Sequence, residues 1–317
     1  MLVKSDGALV RRGNTKTNLW RGVWALADPK ISLASMAALF LGTSAAAAVG
    51  GLHWSWLAVT LLGIYAAEVA KNASGEIFDF DSGTDLAVSA SDRSPFSGGK
   101  RVLVDGLLSR TQTKRIASAG YFTAIVSGLL IVAMREPSVL WLGLIGIGGA
   151  FFYHAPPLKL SYRGLGELTV AACYGPLICS GAYLVQRGSI TSEMILVSIP
   201  LGLLIGNFLL INEFPDYQAD KSAGKRTLVV RLGRTGASRL YALVAAAAMV
   251  LLVFLPFLGA IPTTVWLGLV ALPSAVFASR RLSAYPANTS RVVPAQAASL
   301  VTFVLYALGA GFGLLAG

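Results

Sequence analysis

Acidic residues are scarce in this chain, which contains 15 Asp and Glu residues among 317 residues, against 26 Lys and Arg. Charged residues of both signs make up 13% of the sequence, hydrophobic residues make up 55%, and the mean hydropathy is +0.67. So little charge excludes a soluble globular domain of this length. No polar stretch is long enough to fold separately, so the sequence predicts one membrane domain.

Cysteine is also rare, and the two that occur, Cys173 and Cys179, lie six residues apart in one predicted helix. They therefore lie on different helix faces, which excludes a disulfide between them and a metal-binding pair. Residues 1–30 are polar and basic and lack the short apolar core of a signal peptide. We predict a basic N-terminal tail over residues 1–30, with an interfacial helix within 15–28, followed by a single transmembrane domain over 31–317.

Apolar runs of about 20 residues, the length of a membrane-spanning helix, are abundant. We count nine of them and predict an all-α, polytopic membrane protein. In this arrangement all 26 basic residues except Arg135 and Arg187 lie on one side of the membrane. The positive-inside rule then predicts a cell (inner) membrane protein with a cytoplasmic N-terminus and an outside C-terminus. The nine runs are roughly 31–50, 53–71, 115–134, 137–154, 167–186, 193–213, 238–259, 261–279 and 294–316.

Eight of the 15 acidic residues are concentrated in two stretches, 76–92 and 213–220, at the cytoplasmic ends of predicted spans. Carboxylates at membrane depth are costly and usually mark a functional path or a cation site. With helical periodicity, each stretch and the asparagine before it place polar side chains on one helix face. The first acidic stripe is Asn72, Glu76 and Asp79, and the second acidic stripe is Asn212, Asp216 and Asp220.

Both stripes offer oxygen ligands, which Mg²⁺ prefers in proteins. Two such helices facing each other would bind roughly two or three Mg²⁺ ions, which would in turn hold a diphosphate group. A Gly-Lys-Arg sequence follows each acidic stretch, and its side chains would donate hydrogen bonds to a polyanion. We therefore expect Lys100, Lys225 and Arg226 to help bind a diphosphate substrate, and replacement of either lysine by Met to weaken that binding.

Three other functions are less consistent with this pattern. The net charge of +11 does not indicate nucleic-acid binding, because the basic residues flank membrane spans, where they contact lipid head groups. An ion-coupled transporter stays an alternative, although its carboxylates would be expected near the midplane and not at one face. A membrane phosphotransferase would also use paired Asp and Mg²⁺, but its Asp-Gly-x-x-Ala-Arg signature is missing.

Three stretches carry a family resemblance. NEFPDYQADKSAGKRTLVVRLG at 212–233 is similar to the second aspartate motif and basic loop of the UbiA superfamily of intramembrane prenyltransferases. YHAPPLKLSYRGLGEL at 153–168 is similar to that family's Tyr-Pro-Lys-Tyr-Arg-Gly loop, and YGPLICSGAYLVQRG follows at 174–188. The resemblance extends roughly from residue 20 to the end. It is strongest to the MenA-type branch, which prenylates 1,4-dihydroxy-2-naphthoate.

This resemblance implies nine helices around a central cavity, capped by the second-to-third and sixth-to-seventh loops. It implies transfer of a polyprenyl group from an allylic diphosphate to an aromatic, quinone-precursor acceptor, with Mg²⁺ as cofactor and pyrophosphate as product. Alternative acceptors are a chlorin or a lipid alcohol. It further implies that Asp216 and Asp220 bind Mg²⁺ after Asn212 at the leading position, that Lys159 and Arg163 contact diphosphate or acceptor, and that Tyr153 lines the cavity.

The first acidic motif departs from the family pattern. A motif of Asn-x-x-x-Asp-x-x-x-Asp fits Asn72 and Glu76 but fails at its third position. The spacing of the naphthoate branch aligns Asp79 and Asp85 instead, and places Gly75 where the family has Asn. We expect Glu76 and Asp79 to be ligands, and Asp79 to act in catalysis with the aspartates of the second acidic stripe.

Overall fold

The structure is a computed structural model that describes residues 2–5, 8–11 and 15–317, with side chains described from Leu19 onward. The predicted basic tail therefore lies partly outside the described residues. The predicted interfacial segment at 15–28 coincides with the first helix, α1 Thr15–Ala27.

The described chain contains two short strands, twelve α-helices and four other helical segments. The strands are β1 Leu2–Ser5 and β2 Ala8–Arg11. The α-helices are α1 Thr15–Ala27, α2 Pro29–Ala48, α3 Trp54–Asp81, α4 Thr84–Ala87, α5 Arg110–Met134, α6 Val139–Phe152, α7 Gly166–Ala172, α8 Ile178–Arg187, α9 Ser192–Ser222, α10 Leu228–Leu258, α11 Leu272–Ala284 and α12 Thr289–Ala316. There are 3-10 segments at Ala90–Asp92, Leu160–Arg163 and Thr263–Ala271, and a π-helical turn at Cys173–Leu177.

Seven helical stretches of the described chain are long and apolar enough to cross a membrane, and α6 is a shorter apolar helix. The prediction of an all-α membrane protein is confirmed, apart from the short antiparallel hairpin of β1 and β2. The count of nine is not confirmed by length and composition. The helix α3 is 28 residues long, but Glu68, Lys71 and the first acidic stripe lower its hydropathy. It also continues to Asp81, past the predicted end at residue 71.

The helix α9 lies at the centre of the helical bundle. The most apolar part of α9 is 72% buried, which is the largest buried share among the seven spanning stretches. The helix packs against α7, α10 and α12. Two buried polar side chains in or against it are hydrogen-bonded to backbone carbonyls, as an interior without water favours. The Tyr306 hydroxyl donates to the Val197 carbonyl at 3.0 Å, and the Asn207 amide donates to the Tyr241 carbonyl at 2.9 Å.

The helix ends at one side of the bundle are closed by two arginines. The Arg135 guanidinium, after α5, donates to the carbonyls of Val185 and Gln186 at the end of α8. The Arg187 guanidinium donates to the carbonyl of Gly51 at 2.7 Å, before α3 begins. Cations at helix C-termini satisfy free carbonyls and oppose the helix dipole favourably. These are the two basic residues that the sequence predicted to face away from all the others.

The opposite side carries the cap loop, residues 82–109, which connects α3 to α5. The Leu103 backbone N–H donates to the Glu76 carboxylate at 2.9 Å, and the Gly98 N–H donates to the Asp216 carboxylate at 3.2 Å. The loop is thus held to both α3 and α9 by the acidic side chains themselves. It covers a cavity between these two helices.

Candidate active site

A polar cavity of about 480 Å³ lies between α3, α9 and the cap loop. Both acidic stripes line it, because α3 and α9 each stay helical through their polar ends. In α9 the helix runs through Pro215, which keeps the second acidic stripe on one face. Nine of the predicted site residues line this cavity: Asn72, Glu76, Asp79, Lys100, Tyr153, Asn212, Asp216, Asp220 and Lys225.

Lys225 joins the two stripes directly. Its ammonium lies 3.7 Å from Oδ1 of Asp220 on α9 and 4.0 Å from Oδ2 of Asp79 on α3. Burial by itself would lower the pKa of Lys225, but these two carboxylates outweigh it and raise the pKa above its ordinary value. The ammonium is therefore charged. Lys100, at the equivalent place in the first Gly-Lys-Arg sequence, forms an ion pair with Asp28 between α1 and α2.

Asp79 is held by residues from the loop after α6. The Tyr162 hydroxyl donates to its Oδ1 at 2.7 Å, and Nε2 of His154 lies 3.6 Å from its Oδ2. Burial, followed by the charge of Asp79, raises the pKa of Tyr162 to about 12, so the phenol stays a donor. Gly75 makes room for this arrangement, since a Cβ there would lie 2.6 Å from Cε1 of His154. His154 thus fills the space beside the position where the family motif has Asn.

The second acidic stripe and its neighbour Glu213 carry oxygen atoms without a partner. Within the described part of the chain, Oδ1 of Asn212, Oδ1 of Asp216 and Oε2 of Glu213 are buried and accept no hydrogen bond. Buried oxygens that lack a donor suit a hard cation, because cation binding offsets the cost of their burial. Among the described residues, no three Asp, Glu, His or Cys side chains lie close enough together to bind a metal ion. The Lys225 ammonium lies between Asp79 and Asp220 instead.

Two residues of the first acidic stripe also hold the structure together. Glu76 accepts the Leu103 N–H of the cap loop through Oε1, which leaves its other oxygen for a further contact. The Asn72 amide donates to the carbonyl of Leu26 in α1 at 2.9 Å, and the residue also lines the cavity. Asn72 thus ties α1 to α3 beside the polar cavity.

Asp85 lines the polar cavity, whereas Asp81 does not. Asp85 is 4% exposed and lines the polar cavity, and burial followed by the charges of Asp79 and Glu76 raises its pKa to about 8. Asp81 lies outside the cavity and forms an ion pair with Arg110 at 2.6 Å. The sequence left open whether Asp81 and Asp85 bind metal, although the spacing of the naphthoate branch aligns Asp85. The signal for Asp85 was thus family spacing and not helical periodicity.

Asp85 approaches the cap-loop backbone at Gly99, which predicts a large effect of a single methyl group. A Cβ at Gly99 would lie 2.3 Å from Oδ1 of Asp85, and its φ of +71° disfavours any L side chain. We expect Gly99→Ala to lower the free energy of unfolding by about 1–3 kcal/mol and to displace Asp85. Thermal unfolding checks this, with Gly148→Ala as control, since a Cβ at Gly148 meets nothing within 4 Å. Equal stability of the two variants would contradict the prediction.

Three predicted substrate contacts lie outside the cavity. Lys159, Arg163 and Arg226 are exposed and do not line it. The Arg163 guanidinium donates to the carbonyl of Pro157 at 2.9 Å, because the loop after α6 coils into a 3-10 segment that folds back on itself. The Lys159 ammonium lies 5.4 Å from the ring centre of Tyr162. Their roles in binding stay predictions. The residues of this loop that reach the acidic stripes are His154 and Tyr162, which both contact Asp79.

An apolar cavity of about 220 Å³ lies beside the polar one, between α3, α5, α6 and the helices α7 and α8. Among the described residues that line it, only Glu68 and Lys71 are charged, and the others are apolar, small or uncharged polar residues. The two cavities are therefore adjacent and share part of their walls. The residues that line both cavities are Lys71, Tyr153, Val170 and Tyr174.

Several proteins resemble this chain in amino-acid sequence over most of its length. A protein of Escherichia coli (strain K12) named 1,4-dihydroxy-2-naphthoate octaprenyltransferase is 30% identical over 258 residues, covering 80% of this chain and 82% of the relative. A protein of the same name from Bacillus subtilis (strain 168) is 28% identical over 261 residues, covering 82% of each chain. The resemblance seen in the sequence is thus confirmed.

Solved structures share the fold. A UbiA homolog from Aeropyrum pernix K1 has a TM-score of 0.59 and 19% identity, with 92% of this chain and 97% of that chain covered. A UbiA homolog from Archaeoglobus fulgidus, solved with GPP and Mg²⁺, has a TM-score of 0.57 and 14% identity, with 93% and 100% covered. The sequence model of the UbiA prenyltransferase family matches residues 35–300 of this chain. The chain is therefore a multi-pass membrane enzyme that belongs to the UbiA prenyltransferase family.

Proposed function

We propose that this enzyme transfers a polyprenyl group from an allylic diphosphate to an aromatic, quinone-precursor acceptor, 1,4-dihydroxy-2-naphthoate, and releases pyrophosphate. The observation that carries the proposal is the adjacency of the two cavities, one lined by both acidic stripes and the other almost entirely apolar. A prenyl diphosphate has the same two halves. The names of the relatives support the acceptor, and the UbiA homologs solved with GPP or DMAPP and Mg²⁺ support the donor.

The proposed cofactor is Mg²⁺, and the residues fit it because the polar cavity offers carboxylate and amide oxygens, several of them without a donor. When bound, Mg²⁺ would neutralise the negative charge that grows on the diphosphate as its bond to carbon breaks. Asp79, Asp216 and Asp220 would hold it as the principal carboxylates. Asn72, Glu76 and Asn212 would complete the two acidic stripes around it.

Basic residues of the chain would bind the diphosphate directly. The Lys225 ammonium is already positioned beside both stripes, and Lys100 lines the same cavity. Preorganised cations of this kind stabilise a leaving group without having to reorient during the reaction. Lys159, Arg163 and Arg226 would act outside the cavity, where exposed positive charge attracts an anionic substrate to the entrance.

The apolar cavity would hold the isoprenoid chain and keep water away from the reacting carbon. Each buried CH₂ group contributes about 0.8 kcal/mol to binding without any polar contact. The bond between the allylic carbon and the diphosphate oxygen breaks, and its electron pair leaves with the pyrophosphate. A π electron pair of the acceptor ring then forms the new bond between a ring carbon and the allylic carbon. That ring carbon loses a proton, or carbon dioxide where it carries the carboxylate, and the ring becomes aromatic again. Because water is excluded, the electron-deficient carbon reacts with the acceptor and is not hydrolysed.

We place the site at the cytoplasmic face of the cell membrane, with the N-terminus inside and the C-terminus outside. The support is the charge distribution, because the basic loops lie at the end of the bundle that carries the polar cavity, whereas Arg135 and Arg187 lie at the other end. We also propose the division into a basic tail over 1–30 and one prenyltransferase domain over 31–317.

The proposal is tested by pyrophosphate release from the purified protein, given geranyl diphosphate, MgCl₂ and 1,4-dihydroxy-2-naphthoate. We expect release that requires both the acceptor and Mg²⁺ and that EDTA abolishes. Mass spectrometry of the product is expected to show the naphthoate-derived ring with one prenyl group. A chlorin and a lipid alcohol are assayed in parallel as alternative acceptors. No release with any acceptor, or equal release in EDTA, would contradict the proposal.

A further inference from the structure

We propose that Lys71 binds a carboxylate on the aromatic acceptor and makes this enzyme selective for aromatic acids over neutral phenols. This inference rests on the proposed prenyl transfer and adds to it the residue that recognises the acceptor. Lys71 lies in α3, one position before the first acidic stripe, and its side chain lines both the polar and the apolar cavity.

The position of Lys71 matters because of where the reacting carbon must lie. The diphosphate needs the polar cavity and the isoprenoid chain needs the apolar cavity, so the bond between them lies at the junction. The acceptor ring must reach that bond to within about 3–3.5 Å. Residues that line both cavities are therefore the ones that contact the acceptor. Among these four residues, Lys71 is the only charged one, and it stands with Tyr153, Val170 and Tyr174.

Lys71 also differs from every other lysine of the polar cavity. Lys30 donates to the carbonyl of Pro95, Lys100 pairs with Asp28, and Lys225 contacts two carboxylates at 4.0 Å or less. The Lys71 ammonium makes no hydrogen bond or ion pair with any described residue, and its side chain is half-buried. A charge in such a place is costly unless a ligand neutralises it.

The carboxylate nearest along the helix forms no ion pair with Lys71. Glu68 lies one turn earlier, and its two oxygens accept from the hydroxyl of Ser35 at 2.9 Å and from that of Tyr174 at 3.1 Å. Both oxygens of Glu68 are thereby engaged, and Glu68 fixes the Tyr174 ring at the junction. The walls of the junction thus contain a fixed aromatic ring and a lysine that forms no ion pair with any described residue.

This pair of groups suits a flat aromatic carboxylate. The Lys71 ammonium supplies a charge-assisted hydrogen bond to the carboxylate. The rings of Tyr153 and Tyr174 supply aromatic surface for the acceptor ring, as offset-stacked or edge-on contacts. A second phosphate is a poorer occupant, because a single cation in a largely apolar wall cannot neutralise it.

The test compares Lys71→Met with Lys71→Arg and with Lys114→Met, a matched control at an exposed lysine of α5. We expect Lys71→Met to raise KM for 1,4-dihydroxy-2-naphthoate about tenfold or more, and KM for geranyl diphosphate less than about twofold. Lys71→Arg should retain most of the acceptor affinity, and Lys114→Met all of it. Equilibrium binding of 2-naphthoate and of uncharged 2-naphthamide, measured by calorimetry, provides a readout that needs no turnover.

Wild-type protein is expected to bind 2-naphthoate more tightly than 2-naphthamide, and Lys71→Met to bind the two alike. An equal rise of both KM values, or unchanged preference for the carboxylate in Lys71→Met, would overturn the inference and leave the proposed function standing. A third outcome separates the two proposals. If the wild-type protein transfers no prenyl group but binds 2-naphthoate more tightly than 2-naphthamide, and Lys71→Met binds the two alike, the proposed reaction fails while the carboxylate site stands.

Discussion

Asp216→Asn is expected to lower kcat by about a hundredfold or more without loss of the fold. Asp216 accepts the Gly98 N–H through Oδ2, while its Oδ1 is buried and has no partner among the described residues. Asparagine keeps an oxygen for the Gly98 bond, so the cap loop remains in place. The substitution removes only the negative charge that would bind Mg²⁺, and the measurement is steady-state pyrophosphate release.

Thermal unfolding separates this effect on activity from an effect on structure. Asp216 and Asp220 follow one another on the same buried helix face, so neutralising Asp216 removes repulsion between carboxylates. We therefore expect Asp216→Asn to unfold at or above the wild-type temperature in EDTA, and to gain less stability from MgCl₂ with geranyl diphosphate. Asp81→Asn is the matched control, since Asp81 pairs with Arg110 outside the cavity. Similar kcat losses in both variants would show that the cavity carboxylates have no special role.

Lys225→Met is expected to affect both stability and substrate binding. Removal of the Lys225 ammonium leaves Asp79 and Asp220 buried without their shared cation. Because a buried ion pair that loses one partner leaves an uncompensated charge, we expect the free energy of unfolding to fall by about 3–5 kcal/mol. The same ammonium is proposed to bind the diphosphate, so KM for geranyl diphosphate should rise about tenfold or more. Chemical denaturation and saturation kinetics measure the two effects separately.

A double variant distinguishes these two roles of Lys225. Adding Asp220→Asn to Lys225→Met removes one of the unpaired charges, so stability should partly recover, whereas diphosphate binding should not. Lys221→Met, an exposed lysine one turn earlier, is the control and should change neither quantity. Lys100→Met should weaken diphosphate binding less, because Lys100 already pairs with Asp28. Unchanged saturation by geranyl diphosphate in both Lys100→Met and Lys225→Met would end the proposal that these lysines hold the diphosphate.

The parts of the site that were predictable from the sequence are those that depend on one helix alone. Asn212, Asp216 and Asp220 share a face because they are spaced four residues apart, and this remains true through Pro215. The membrane character followed in the same way from apolar runs of spanning length. Both patterns are local, so no knowledge of the packing was needed to read them.

The parts that were not predictable depend on where loops travel. Asp85 lies only a few residues beyond α3, and it lines the cavity in close contact with Gly99 of the cap loop. Arg163 has the residue type of a diphosphate ligand, yet it bonds to the carbonyl of Pro157 in its own loop. Both residues matched the family pattern, but that pattern does not show which of them lines the cavity. Loop direction depends on contacts between distant segments, which sequence periodicity does not report.

The sequence by itself determined that this protein is a helical membrane enzyme with two acidic stripes and a family resemblance to intramembrane prenyltransferases. Only the tertiary structure decided that Lys225 joins the stripes, that Lys100 pairs with Asp28, and that Lys71 stands without a partner between two cavities. The physical reason is that hydropathy and helix periodicity act along one segment of chain. Pairing of charges acts across segments, and depends on distances of a few ångströms that arise only when the helices pack.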